Sequence, residues 1–280
     1  MNQSSLDDFR ATVWDFYAKH PRIMPWRTNT DPYWVLVSEV MLQQTQVTRV
    51  IPKFEAFVAA LPTVKALAEV DLAFVLQLWS GLGYNRRAKY LHQAARVIQQ
   101  QFDGEIPRSQ EALVSLPGIG RNTAAAIVAY SSNSPSVFVE TNIRTVYINH
   151  FFSDRAAVDD AEILQLVTLT LDRDSPREWY WALMDYGTFL KQSKQGALDQ
   201  SRQFKKQTPF AGSMRQMRGR IIKVLSEQGG SSEQELSAQV DGDDRFAAAL
   251  QALIHEGLIC RELERFHLTG DRVNSDNRTS

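Results

Sequence analysis

The chain of 280 residues has a single cysteine, Cys260. That excludes an internal disulfide and any metal or iron–sulfur centre built from four cysteines. Cys260 itself reads as a small core or wing residue without a redox role. No run of about 18 apolar residues occurs, so no transmembrane helix is expected. The N-terminus, Met1-Asn2-Gln3-Ser4-Ser5-Leu6-Asp7-Asp8, lacks the basic-then-apolar order of a signal peptide. A cytoplasmic location is expected. No self-similarity with a period of roughly 20–50 residues suggests a solenoid. Overall charge is also small, at −1.

What is present is ordinary in bulk, with 44% apolar and 22% charged residues, enough for one large or two to three small domains. Apolar residues recur at three- and four-residue spacing in Phe9-Val13-Phe16-Tyr17, Phe54-Phe57-Val58, Val75-Leu76-Leu78-Trp79 and Ile163-Leu166-Val167-Leu169. That periodicity predicts helices, separated by short Pro- and Gly-containing turns. Residues 191–213 read as a polar linker. Between Lys191 and Lys223 stand Lys191, Lys194, Arg202, Lys205, Lys206, Arg215, Arg218, Arg220 and Lys223, against one acid, Asp199. A local surplus of this kind attracts a polyanion whatever the net charge, although a solvated linker gives the same composition. Helical patterns over Met214–Gln228 and Asp243–Glu256 flank a capping-box signal at Ser232-Glu233-Gln234-Glu235. Two β-like runs, Leu258–Leu263 and Arg265–Leu268, follow. Residues 214–270 are therefore expected to form a winged helix, and 271–280 a disordered tail.

Two features point to chemistry. Leu116-Pro117-Gly118-Ile119-Gly120-Arg121-Asn122-Thr123 joins a Pro-Gly-x-Gly turn to a small-residue helix. Backbone N–H groups freed by glycine, together with the helix N-terminus, can hold a phosphate without base preference. The second feature is a pair of carboxylates. Glu39 interrupts the apolar helix Trp34–Gln46, where burial would raise its pKa into the range of a general acid; a position on the wet side of the helix is the alternative. Glu140 follows Val137-Phe138-Val139 and could serve as a helix cap, an ion-pair partner, or the anion of a two-carboxylate glycosyl-transfer site. Gln43, Gln44 and Gln46 offer amides for base edges or lie on plain surface.

Taken together, Met24-Pro25-Trp26-Arg27, Tyr33 to Val47 with its Ser38-Glu39-Val40-Met41-Leu42-Gln43-Gln44-Thr45-Gln46 run, Leu78 to Tyr84, the hairpin, and Met184-Asp185-Tyr186-Gly187 resemble the helix-hairpin-helix (HhH-GPD) DNA glycosylase superfamily, MutY-type adenine glycosylases in particular. The resemblance spans roughly residues 9–190. It implies an all-α, two-lobed fold: a six-helix barrel over 25–132 with the hairpin at 114–127, and a second lobe from 1–24 and 133–190. A flipped base would enter between the lobes. By the same resemblance Glu39 protonates the base, Glu140 stabilises the cationic sugar, and Asn142 is a polar active-site residue. Tyr84 would act as a wedge in the base stack, with Gln43 and Gln44 facing the extruded or opposite base. Leu116, Gly118, Ile119, Gly120, Arg121, Asn122 and Thr123 would grip the backbone, with Na+ or K+ on hairpin main-chain carbonyls as the expected ion and no other metal. Further DNA contacts are expected from Arg144, Lys205, Lys206, Arg215 and Arg218.

Four departures qualify the resemblance. Aspartate is replaced by Glu140, which extends the carboxylate by about 1.5 Å, a displacement large enough to affect rate. Asn122 stands where bifunctional members carry a Schiff-base lysine, so a monofunctional enzyme leaving an abasic site is expected. Lys191 stands where a cysteine cluster would begin, so no iron–sulfur cluster is expected. A winged helix is expected in place of a C-terminal Nudix-like domain; it would be a second DNA grip or a packing module. The partner is double-stranded DNA carrying a mispaired or damaged base, the protein a nucleoid-associated monomer with no membrane contact. Adenine is the expected base, with uracil, mispaired thymine or an alkylated base as other substrates. The other class of function is a glycosylase-derived DNA-binding protein with impaired catalysis.

Overall fold

The computed structural model describes residues 3–155, 157–193, 200–202 and 209–270. The helices in the first part of the chain are α1 (Gln3–Lys19), α2 (Pro25–Thr28), α3 (Pro32–Leu42), α4 (Val47–Ala60), α5 (Val64–Glu69), α6 (Leu72–Trp79) and α7 (Arg86–Gln101). There follow α8 (Gln110–Val114), α9 (Arg121–Ser132), α10 (Thr141–Phe151), α11 (Asp160–Thr170) and α12 (Pro176–Gln192). The C-terminal part comprises α13 (Met214–Gln228), β1 (Ser231–Ser232), α14 (Glu233–Gln239), α15 (Phe246–His255), β2 (Ile259–Glu262) and β3 (Arg265–Leu268). The described residues are thus mostly helical with one small sheet, as the sequence predicts.

Two compact units emerge: Met1–Glu39, Pro107–Ser115 and Ile119–Lys206 form one, and Val40–Ile106, Leu116–Gly118 and Gln207–Ser280 the other. These boundaries differ from the 25–132 barrel expected from the resemblance, because α9 belongs with α12. Tyr130 stacks on Trp181 with centroids 6.4 Å apart. Arg177 also donates to the Tyr130 and Ser131 carbonyls near the C-terminal end of α9, where free carbonyls otherwise lack partners. In the same unit the apolar stripe of α1 buries Phe9 and Val13, and Phe9 meets Tyr147 at 5.1 Å and Trp179 at 6.1 Å. Helices α10 and α12 approach so closely that Gly187 has no room for a side chain: a Cβ there would stand 2.8 Å from the carbonyl carbon of Asn142.

The second unit contains α4 to α7 and the winged helix. Phe57 and Trp79 are fully buried and meet edge-on at 6.2 Å. The sheet runs β1-β3-β2, both pairings antiparallel, with Ser231 opposite Phe266 and Ile259 opposite Leu268. Strand β1 is two residues long, too short to leave a periodic signal in the sequence. The capping box at Ser232 forms as predicted, its hydroxyl accepting from Glu235 N and the Glu235 carboxylate accepting from Ser232 N. Ile221, Leu225, Leu250, Leu253 and Phe266 make the core of the wing domain. This domain packs on α6 and α7, where Gln77 Nε2 donates to the Ser226 carbonyl and Lys89 donates to the Glu256 carbonyl.

The expected linker is not uniformly a surface strand. Helix α12 continues to Gln192, and residues 200–202 pair in parallel with Val158. Val158 N donates to Gln200 O at 2.9 Å, and Ser201 is buried. The expected tail at 271–280, with Lys205 and Lys206, lies outside the described residues.

Candidate active site

Glu39 lies on α3 between the buried residues Ser38 and Val40, with Val35 and Leu36 also at zero to 1% exposure. The residue as a whole is half-buried. Its pKa is raised well above the ordinary carboxylate value, first by burial and then by the charge of Glu140, against an opposing pull from Arg27. Arg27 is fixed in turn. Its Nη1 and Nη2 donate to the two Asp185 oxygens at 2.8 and 2.9 Å, and Arg22 Nε joins them at 2.6 Å. Asp185 is 2% exposed, so this ion cluster is shielded from competition with water. Sequence reasoning gave neither Arg27 nor Asp185 a role. The available signal was an aspartate inside the otherwise apolar stretch from Trp179 to Tyr186.

Glu140 occupies the N-cap position of α10 in extended backbone, φ −114 and ψ 172, yet its side chain makes no capping hydrogen bond. The capping alternative therefore fails. Burial raises its pKa, and Arg144 opposes that rise. The helix N-terminus also favours an anion at this place. The two glutamates share a site but not an environment. Both are buried and each has an opposing cation, Arg27 for Glu39 and Arg144 for Glu140, but Glu39 also feels the repulsion of its neighbour, whereas Glu140 has a helix dipole beside it. Of the two, Glu39 is pushed the further towards the protonated form.

Three further residues complete this part of the site. Tyr130, 6% exposed, has its phenol pKa raised by burial and then by both glutamates; the sequence reading did not single it out. Asn142 Nδ2 approaches the Met184 sulfur at 3.8 Å, and its Oδ1 is buried with no hydrogen-bond partner. Asn122 Nδ2 donates to the Val139 carbonyl at 2.9 Å, bracing the residue before Glu140.

Helix α3 ends at Leu42, earlier than the predicted Gln46, and Gln43 and Gln44 form a turn in which Gln44 adopts φ +55. Arg87 explains the early stop. Its Nη1 donates to the carbonyls of Val40, Met41 and Gln43 at 2.9, 2.8 and 2.6 Å, taking acceptors that further helical turns would use. Its Nη2 donates to Gly83 O at 3.1 Å, tying the glutamine turn to the loop that carries Tyr84. Burial lowers the guanidinium pKa to about 10. Tyr84 itself has φ +48, a left-handed conformation that side chains rarely adopt.

In the hairpin, Leu116 and Ile119 are buried anchors, at 2% and 4% exposure. Gly118 has φ +77, and a Cβ would lie 2.6 Å from Tyr90 Cβ, so only glycine fits. Gly120 is different. Its φ of −84 suits any residue, and nothing lies within 4 Å of a Cβ placed there. It keeps the N-terminus of α9 open, with Arg121 and Asn122 exposed beside it and Thr123 half-buried.

Two expected DNA contacts are engaged elsewhere. Arg144 Nε and Nη2 each donate to Asp160 at 2.7 Å, and its side chain is 12% exposed. Its charge also lowers the Glu140 pKa. Arg218 pairs with both oxygens of Glu256, Nη1 at 2.9 Å. Both pairings have one cause, a carboxylate distant in sequence that the fold delivers. Arg215 remains beside Tyr84, to which its Nη1 donates at 2.7 Å.

A helical scaffold with a glycine hairpin and two interacting buried glutamates fits the class of helix-hairpin-helix base-excision proteins. Comparison with known proteins agrees. Residues 37–167 match the HhH-GPD superfamily base excision DNA repair protein family. An adenine DNA glycosylase of Mycolicibacterium smegmatis is 31% identical over 290 residues, covering 95% of this chain and 97% of that protein. Another, from Buchnera aphidicola, is 34% identical over 187 residues; the match covers 65% of this chain and 52%, about half, of that protein. A thermostable thymine-DNA glycosylase shares the fold, with a TM-score of 0.60 at 22% identity over 70% of this chain and 97% of that one. The chain belongs to the HhH-GPD superfamily and is a MutY-like DNA glycosylase of base excision repair. Among the described residues no helix is long and apolar enough to cross a membrane, and no cluster of three or more His, Cys, Asp or Glu side chains is arranged to hold a metal ion.

Proposed function

We propose that the protein is a monofunctional adenine-DNA glycosylase that hydrolyses the N-glycosidic bond of a flipped-out adenine in duplex DNA and leaves an abasic site. The observation that carries this reading is the glutamate pair, with Glu39 pushed towards the acid form beside Glu140 at a helix N-terminus. Glu39 gives its proton to a ring nitrogen of the base. The C1′–N bond then breaks with its electron pair moving to the base, and positive charge develops on the sugar beside the Glu140 carboxylate. Water adds to C1′ and releases a proton that restores Glu39. The unpartnered Oδ1 of Asn142 is an acceptor suited to orienting that water. Asn122 is occupied by the Val139 carbonyl and has no amine for a Schiff base, which supports the monofunctional assignment. No cofactor takes part in these steps. The main-chain oxygens of the hairpin are hard ligands of the type a sodium or potassium ion takes. The exposed start of α9 provides the phosphate grip.

The test is single-turnover excision from duplexes carrying adenine opposite 8-oxoguanine or guanine, alongside uracil, mispaired thymine and alkylated bases. Adenine should be released, with strand breaks appearing only after alkali. Glu39→Gln should lose roughly 10²–10⁴-fold in rate while retaining duplex binding. Breaks without alkali would refute the monofunctional assignment, and undiminished excision by Glu39→Gln would remove it as the acid.

A further inference from the structure

In the second unit a cleft of about 620 Å3 opens between the turn Gly81–Asn85 and α13 of the wing domain. Its volume is in the range of ligand sites, and its chemistry is one-sided. Lys53, Arg215, Arg220 and Lys223 line it with Gln44 and Tyr84, and no Asp or Glu lines it among the described residues. Two of these cations have only long, exposed ion pairs, Arg220 with Asp241 and Lys223 with Glu227, each at 3.8 Å, although Arg220 Nη1 also donates to the Val240 carbonyl at 3.0 Å. Such pairs are worth little and exchange readily for a better anion. Arg218, by contrast, is held out of this set by Glu256.

The cleft is also joined to the loop that bears Tyr84. The phenol ring has two guanidiniums over it, Arg87 at 5.5 Å and Arg215 at 5.4 Å from its centroid. Arg215 Nη1 donates to the phenol oxygen at 2.7 Å. Arg87 is a fixed part of the core; Arg215 comes from the first turn of α13, on the cleft wall. An anion entering the cleft therefore competes with Tyr84 for the same guanidinium. Cations take phosphate, an amide can read a base edge and a phenol can stack on a base. These are the complementary parts of a nucleotide within a strand.

We propose that this cleft is a phosphodiester-binding site for a strand of the DNA substrate, and that Arg215 is a positioning residue through which its occupancy sets Tyr84. The proposal rests on the glycosylase reading for the identity of the polyanion. It makes the wing domain part of the wedge machinery, beyond a second grip at a distance.

The test uses the full chain and a duplex containing a tetrahydrofuran abasic analogue, with 2-aminopurine next to it. Binding is followed by anisotropy across salt concentration, and unstacking by 2-aminopurine fluorescence at saturating protein. Lys53→Ala/Lys223→Ala should reduce the salt slope by roughly 1.8, the value for two lost phosphate contacts. Arg215→Ala should lose most of the fluorescence rise. Arg215→Lys should restore the affinity but not the fluorescence, because an ammonium keeps the charge without the planar clamp. An unchanged salt slope in the double variant would overturn the phosphate site. Recovery of fluorescence in Arg215→Lys would overturn the positioning role. Both readouts are independent of base release. A wild-type protein that binds with the expected slope but excises no base would refute the glycosylase reading and leave the cleft standing.

Discussion

Replacing Gly187 by alanine should impair catalysis more than it impairs DNA binding. The glycine faces the first turn of α10, where its Cβ would stand 2.8 Å from the Asn142 carbonyl carbon and closer still to the oxygen, against 3.4 Å for ordinary contact. Relief requires α10 and α12 to separate locally by roughly 1 Å, a misplacement that can reduce a rate about 100-fold. The displaced turn carries Asn142 and follows Glu140, so the carboxylate proposed to stabilise the sugar cation moves with it. Overpacking of this kind destabilises a fold by about 1–3 kcal/mol, and the variant should melt lower but remain folded at 25 °C. Single-turnover excision under saturating enzyme, measured beside duplex affinity and a thermal melt, separates these effects. A rate within threefold of wild type, with the melt lowered as expected, would show that the position of α10 does not control the chemistry.

Three other outcomes follow from the same geometry. Excision should have a bell-shaped pH profile, falling on the acid side as Glu140 protonates and on the alkaline side as Glu39 ionises. Arg144→Gln removes the cation that lowers the Glu140 pKa, so the acid limb should move to higher pH; an unmoved limb would dissociate Arg144 from Glu140. Stability has its own sign. Glu39 binds its proton more tightly folded than unfolded, so stability is lost as pH rises from the ordinary carboxylate range through the folded pKa. Glu39→Gln, which mimics the neutral form, should therefore melt above wild type at alkaline pH, and the difference should vanish in acid; a constant difference would contradict the raised pKa. Arg87→Met should destabilise by about 2–4 kcal/mol in urea unfolding, because it leaves the carbonyls of Val40, Met41 and Gln43 without their donor. A loss below about 0.5 kcal/mol would show that other groups satisfy them.

The sequence alone determined much of this protein, wherever the determinants are local. Helical periodicity located α1, α4, α6 and α11, and the capping box at Ser232 marked α14 because cap and partner are three residues apart. Gly118 was legible because a Pro-Gly-x-Gly turn needs a left-handed residue, although only the structure separated its role from that of Gly120. Glu39 stood out as a lone carboxylate in an apolar helix. The single cysteine excluded a four-cysteine cluster before any coordinates.

Only the tertiary structure decided the ionisation and availability of the charged groups, since each depends on partners far along the chain. Arg27 meets Asp185 across 158 residues and Tyr84 meets Arg215 across 131. Arg144 and Arg218 looked like free cations because a sequence displays charge but not its neutralisation. Glu140 looked like a helix cap or an ion pair; the fold left its cap unmade and placed Glu39 near it. Local pattern fixes where helices begin and which faces they bury. Solvation and Coulomb energy depend on distance in space, which raises the Glu39 pKa beyond what its own helix displays.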